Sequence, residues 1–198
     1  MAGRRRKKKT SVEAQSRLPG LFPKSLIAAS SVFSAPAVRA VVAIVILGAA
    51  VRAAFINIPI RYDEAFTFIH FARFPVANFI GDYSFPNNHL LHSLLVRLSV
   101  VLFGPWEWAI RLPAFLAGVA CLPMLYLLGR RLFDDLTGLW AAAFAAGSSA
   151  LVEYSTNGRG YTMVVFFTAL LLYQAVRISS PRRTRADWAV FCLAGAAG

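Results

Sequence analysis

Cysteine is scarce in this chain: 198 residues hold two, Cys121 and Cys192, and both fall inside apolar runs. Two thiols in such surroundings supply neither a disulfide framework nor a metal-binding spacing, so they read as packing residues. Acidic residues are also few, nine Asp and Glu against 21 Lys and Arg, for a net charge of +12. Such an excess suits a nucleic-acid binder, but the positive residues alternate with apolar spans and form no basic face interleaved with stacking aromatics. Nucleic acid is therefore excluded as a partner. No solenoid repeat is present. A cleavable secretory signal is missing too, because the basic head lies roughly 30 residues before the first hydrophobic run and no small-x-small site follows that run. The first apolar segment stays as an anchor.

What is abundant is hydrophobic sequence, 58% of the chain with a mean hydropathy of +0.58. That is wrong for an ordinary soluble domain and right for a multi-pass membrane protein. The expected fold class is all-α, a polytopic integral-membrane helical bundle with interfacial helices in the first outer loop. Residues 1–37, with the run Arg4-Arg5-Arg6-Lys7-Lys8-Lys9 and a Ser-, Pro- and Ala-rich stretch, read as a disordered basic cytoplasmic tail drawn to anionic lipid. Residues 38–198 form the membrane domain. Its spans are expected at 40–58, 112–128, 136–152 and 161–176, and a further one opens at Trp188. The closing apolar run has about half of the ~20 residues a spanning helix needs. The chain is thus expected to be truncated inside a helix at residue 198. Small residues crowd the span at 136–152 and predict close helix packing. Arg52, inside the first span, is expected to snorkel towards the outer interface.

The helix expected at 88–103 decides the topology. It offers about 16 residues, short of a full span, and carries Asn88, His89, His92, Ser93 and Arg97 over one side. If it lies at the interface, the tail, Arg130-Arg131 and the cluster Arg177, Arg182, Arg183, Arg185 share one side. That places 15 of the 21 Lys and Arg inside and satisfies the positive-inside rule. If it crosses, both later clusters move outside. The first arrangement is expected, in a cell inner (plasma) membrane with a cytoplasmic N-terminus and a periplasmic or extracellular site.

Three outward stretches then share one side. Asp63-Glu64 opens a helix at 64–73 whose Glu64, Thr67, His70 and Arg73 oppose Ala65, Phe68, Ile69, Phe71 and Ala72, a pattern suited to a bilayer surface. The two carboxylates either do chemistry there or serve as helix cap and dipole partner. The second stretch is Asn87-Asn88-His89 with His92. His89-x-x-His92 has helical spacing for one metal, but no third ligand is fixed and no metal is required; a divalent metal stays an open cofactor. The third, Glu153-Tyr154-Ser155-Thr156-Asn157-Gly158-Arg159-Gly160-Tyr161, leads into a helix N-terminus. There free N–H groups, the helix dipole and the Arg159 fork suit a phosphate, unless the turn is only a flexible link whose Arg meets lipid headgroups. Gly104-Pro105-Trp106-Glu107-Trp108 reads as an aromatic belt.

These stretches, in this order, resemble the N-terminal module of GT-C superfamily glycosyltransferases, nearest the bacterial relatives of protein O-mannosyltransferases and lipid A aminoarabinose transferases. The likeness rests on Tyr62-Asp63-Glu64-Ala65, Asn87-Asn88-His89-Leu90, the run from Phe103 through Trp106-Glu107-Trp108 to Arg111-Leu112-Pro113, and Glu153 to Tyr161. It covers residues 38–180. The resemblance implies transfer of a sugar from a polyprenyl-phosphate donor to a glycan, lipid or protein acceptor at the outer face, with Asp63 at the catalytic centre and Glu64 beside it. It also implies substrate contacts from Asn88, His89, His92, Tyr154, Arg159 and Tyr161. Many relatives open the second interfacial helix with His-Pro-Pro or place a Lys there, and this chain has neither. The rival classes are a transporter or lipid flippase, in which Arg52 would line a path, and a non-catalytic assembly subunit. The concentration of polar residues at one interface favours interfacial chemistry over a midplane path.

Overall fold

The computed structural model describes residues 34–79, 89–181 and 183–197. Among these residues it is all-helical. Helix α1 (Ala35–Ala53) starts where the Ser34 hydroxyl accepts from the Ala37 N–H at 3.3 Å and Pro36 occupies the first turn. Residues 35–37 therefore belong to the first helix and Ser34 caps it, while residues 1–33 of the expected tail lie outside the described residues. A short loop leads to α2 (Tyr62–Thr67), which runs on into a π-helical turn (Phe68–Ala72) closed by Arg73 N–H donating to the Phe68 carbonyl at 2.8 Å. After α3 (Val76–Phe79) comes α4 (Leu90–Phe103). Two long elements follow, α5 (Glu107–Leu132) and the pair α6 (Asp135–Gly147) and α7 (Ser149–Ser155), which meets at a 63° bend. Helices α8 (Tyr161–Ile178) and α9 (Arg185–Ala197) complete the chain.

Helices α1, α5 and α8 are each long and apolar enough to cross a membrane, and α6 with α7, taken together as one broken span, is long and apolar enough for a fourth. Helix α4 has 14 residues, about 21 Å of rise against a ~30 Å hydrocarbon core. Its faces are inverted relative to a soluble helix: His92, Ser93, Val96 and Ser99 are buried, while Leu94, Leu98, Val101 and Leu102 face outward. An apolar exterior over a polar interior is what a lipid-facing helix needs. It ends at Gly104, whose φ of +90° suits glycine.

Helix α5 is the central post, packed against α4, α6, α7 and α8. It runs through Pro113 and Pro123 without a break in helical assignment. Pro113 has no N–H for the Ala109 carbonyl, and the buried Ser99 hydroxyl donates to that carbonyl at 2.7 Å instead. The small residues of the 136–152 segment do allow close approach, since a methyl at Gly138 would meet the Tyr126 carbonyl and Arg130 N–H of α5. They do not form one straight span, because Ser148 is extended (φ −67°, ψ 116°) and restarts the helix by accepting from Leu151 N–H.

Arg52 corrects one expectation. It does not snorkel: its side chain is fully buried and its guanidinium donates to Ser155 Oγ and to the carbonyls of Gly48, Ala145 and Ala146. A buried charge left without partners is costly, and the end of α6 at the bend supplies carbonyls within reach.

Candidate active site

The site begins at Glu64. Its buried carboxylate accepts four hydrogen bonds: Oε1 from Arg111 Nε at 2.9 Å and Gly158 N–H at 2.8 Å, Oε2 from Arg111 Nη2 at 2.6 Å and Arg61 N–H at 2.9 Å. Arg111 spends its remaining donors on the carbonyls of Ile56, Ile58 and Pro59. Both side chains are 0% exposed. A two-pronged Arg–carboxylate pair of this kind fixes orientation as well as distance. Here it binds the loop between α1 and α2 to the start of α5 and to the 156–160 turn. Burial pushes the Glu64 carboxyl up, but the hydrogen bonds from Arg111, Arg61 and Gly158 and the Arg111 charge outweigh it, so the group titrates below the usual carboxylate range.

Joining Glu64 to Gly158 brings their chain neighbours together. Asp63 Oδ2 meets Arg159 Nη1 at 2.6 Å, across 96 positions of sequence. Arg159 Nη2 donates to the Tyr161 hydroxyl at 2.8 Å, and the guanidinium lies 4.8 Å from the Tyr161 ring centre. Tyr154 packs edge-on against Tyr161 at 4.8 Å, and His89 does the same at 5.8 Å. A methyl at Gly160 would collide with the His89 ring, so the turn and α4 are in contact there. The Asp63 side chain is about half exposed, whereas Arg159 is mostly covered. The result is an open acid–base pair with an aromatic border.

Of the sequence-predicted residues, Asp63, His89, Tyr154, Arg159 and Tyr161 come together. Glu64 sits behind them. His92 lies buried under His89; burial first, then the charges of His89 and Arg159, push its imidazole down to about 3, and its Nε2 has no hydrogen-bond partner among the described residues. Burial and Arg159 also lower His89. Asn88 lies outside the described residues. Among those residues no three His, Cys, Asp or Glu side chains gather as metal ligands.

Residues 87–198 match the family of dolichyl-phosphate-mannose-protein mannosyltransferases. The chain belongs to this family. It is a multi-pass membrane protein of the GT-C glycosyltransferase type, and the transporter reading loses its main support because Arg52 is locked into helix packing. The match contains His89, His92, Tyr154, Arg159 and Tyr161 and begins after Asp63 and Glu64. No curated protein and no solved structure matches the chain.

Sequence reasoning missed what holds this mannosyltransferase-family site together. Arg111 had a signal: it is a cation between Ala109-Ile110 and Leu112-Pro113 at the start of an apolar span, and such a charge demands a partner. Its partner Glu64 was read as either a chemical group or a partner of the helix dipole, neither of which points to Arg111. The exposed Arg61–Glu153 ion pair, which ties the same loop to α7, carried no comparable signal.

Proposed function

We propose that this chain carries the donor-binding and catalytic end of a glycosyltransferase that moves a sugar from a polyprenyl-phosphate carrier to an acceptor hydroxyl at the outer membrane face. The observation that carries the reading is the Asp63–Arg159 contact, a carboxylate and a guanidinium side by side at a half-exposed position. The family supports a phosphate-linked sugar donor.

In a single displacement, Asp63 takes the proton of the acceptor hydroxyl as its oxygen bonds to the anomeric carbon. The bond from that carbon to the phosphate oxygen breaks, and its electron pair stays on the phosphate. Arg159 and the Tyr161 hydroxyl stabilise the charge that develops there. Attack opposite the leaving group inverts the configuration. In the structure Arg159 neutralises Asp63, so an arriving phosphate competes for the guanidinium and frees the carboxylate to act as base. Glu64, saturated by four donors, orients both neighbours rather than moving a proton.

The test is transfer of labelled mannose from polyprenyl-phosphate mannose, with other polyprenyl-phosphate sugars as a panel, to acceptors in membranes containing the protein. Asp63→Asn keeps the shape and removes the base, so turnover should fall by about 10² to 10⁴ with insertion unchanged. Near-normal transfer by Asp63→Asn eliminates this assignment.

A further inference from the structure

Arg52 is a buried cation with no carboxylate within ion-pair distance among the described residues. Its partners are specific. Nη2 donates to the Ala145 carbonyl at 3.2 Å and Nη1 to the Ala146 carbonyl at 3.3 Å, two of the carbonyls in the last turn of α6, where the extended Ser148 interrupts the ladder. Nε donates to Ser155 Oγ at 3.1 Å, and Ser155 is the last residue of α7. Nη1 also donates to the Gly48 carbonyl of its own helix at 3.0 Å. One guanidinium thus bridges the last turn of α6 and the last residue of α7, on either side of the bend. The fit is tight, because Gly118 of α5 faces Ser155 and any side chain there would collide with the Ser155 hydroxyl.

Helix α7 carries Glu153 and Tyr154, and the turn that follows carries Arg159. That segment is held on its other side by Glu64 at Gly158. Loosening α7 leaves this outer attachment in place but lets the turn pivot on it. We propose that Arg52, acting through Ser155, is a positioning residue for the donor site: it locks the bent span so that Tyr154, Arg159 and Tyr161 converge on one phosphate-sized place. This rests on the reading that Arg159 and Tyr161 hold the donor phosphate.

The experiment measures binding of polyprenyl-phosphate mannose to the purified protein in lipid nanodiscs, for wild type, Arg52→Lys, Ser155→Ala, Arg159→Ala and the double variant Ser155→Ala/Arg159→Ala. Lysine keeps the charge but has no fork to span four acceptors. Losing one charge-assisted hydrogen bond corresponds to roughly a tenfold effect, so Arg52→Lys and Ser155→Ala should each raise the donor Kd about tenfold or more. In the Arg159→Ala background, Ser155→Ala should add little, because the clamp acts only through what it positions. A loss that multiplies undiminished onto Arg159→Ala, or a wild-type Kd in Ser155→Ala, overturns the inference while an impaired Arg159→Ala keeps the donor site standing. A wild-type Kd in Arg159→Ala instead removes the donor-site reading and this inference with it. If Arg52→Lys fails to insert, Ser155→Ala, which deletes only a hydroxyl, decides.

Discussion

Asp63 and Arg159 are adjacent in sequence to Glu64 and Gly158, and the inner pair controls the outer one. A half-exposed ion pair by itself contributes little to stability, about 0–1 kcal/mol, because water competes for both charges. Its geometry is dictated by the buried bonds one residue away. Arg159 should therefore matter to ligand handling far more than to folding. Arg159→Lys keeps a point charge and loses the two-pronged contact, so donor affinity should fall partly; Arg159→Ala should lose it severely. If the contact strengthens as the leaving phosphate gains charge, turnover falls along with affinity. A headgroup-facing Arg would leave both variants with wild-type kinetics in detergent. Measuring turnover against donor concentration for the three proteins separates the two cases. The open half of this site was legible in sequence, because Asp63, His89, Tyr154, Arg159 and Tyr161 lie in polar interruptions of an apolar chain. Its support was not: Glu64–Arg111 is 47 positions apart in sequence, and neither residue type announces which of its neighbours it will meet.

Helices here are joined by buried polar bonds as well as by apolar contact, and each bond has a cost if half of it is removed. Deleting one partner of a fully buried pair strands the other, at about 3–5 kcal/mol. Glu64→Gln and Arg111→Met should each lower the thermal unfolding midpoint strongly, and the double variant should be far less than additive. Were Glu64 itself the base, Glu64→Gln would reduce turnover and spare stability, so the two measurements together assign its role. Acidity probes the same elements. His92, buried in α4 beneath His89, binds a proton only near pH 3 in the folded protein, while the unfolded chain takes one near its ordinary 6.5. Between those values the unfolded state holds more protons, so stability falls as pH falls from about 6.5 towards 3. The lowered Glu64 carboxyl contributes above the usual carboxylate range, and its contribution is lost as pH drops through its own lower value. Acid should therefore weaken the protein in two stages, and His92→Gln should make the upper one shallower in unfolding midpoints measured from pH 7 to 4, leaving what the lowered His89 contributes. Element positions were readable from hydrophobic length. The bend was not, since Gly147-Ser148-Ser149 reads as small residues within one apolar run and the contacts Arg52 makes there reach across from α1, more than 90 positions away.

Among the described residues the ion pairs separate into two groups at opposite ends of α5. Arg61–Glu153, Glu64–Arg111 and Asp63–Arg159 gather at the start of α5 and the 156–160 turn, whereas Arg130–Asp135 and Arg177–Asp187 gather at the opposite helix ends. Between them α5 rises about 39 Å over its 26 residues, enough to span a ~30 Å core with its ends in the interfaces. With α4 lying in the interface, α1, α5, the α6–α7 pair and α8 alternate direction, and both later basic clusters fall on the side of the N-terminal tail. On the positive-inside rule we propose that this side is cytoplasmic and the Asp63–Arg159 side external. Thr156 lies in the external turn but is buried, so it makes a poor reporter, and more open positions serve better. In a background with Cys121 and Cys192 replaced, single variants Tyr62→Cys and Trp106→Cys should react with an impermeant thiol reagent added to intact cells. Phe133→Cys and Arg183→Cys should react only after the membrane is opened. All four positions are exposed on the protein surface, so protection in intact cells reports the bilayer and not burial in the fold. Labelling of position 183 from outside, with position 62 protected, would invert the chain and place Asp63 and Arg159 on the cytoplasmic face, away from any outer-leaflet donor.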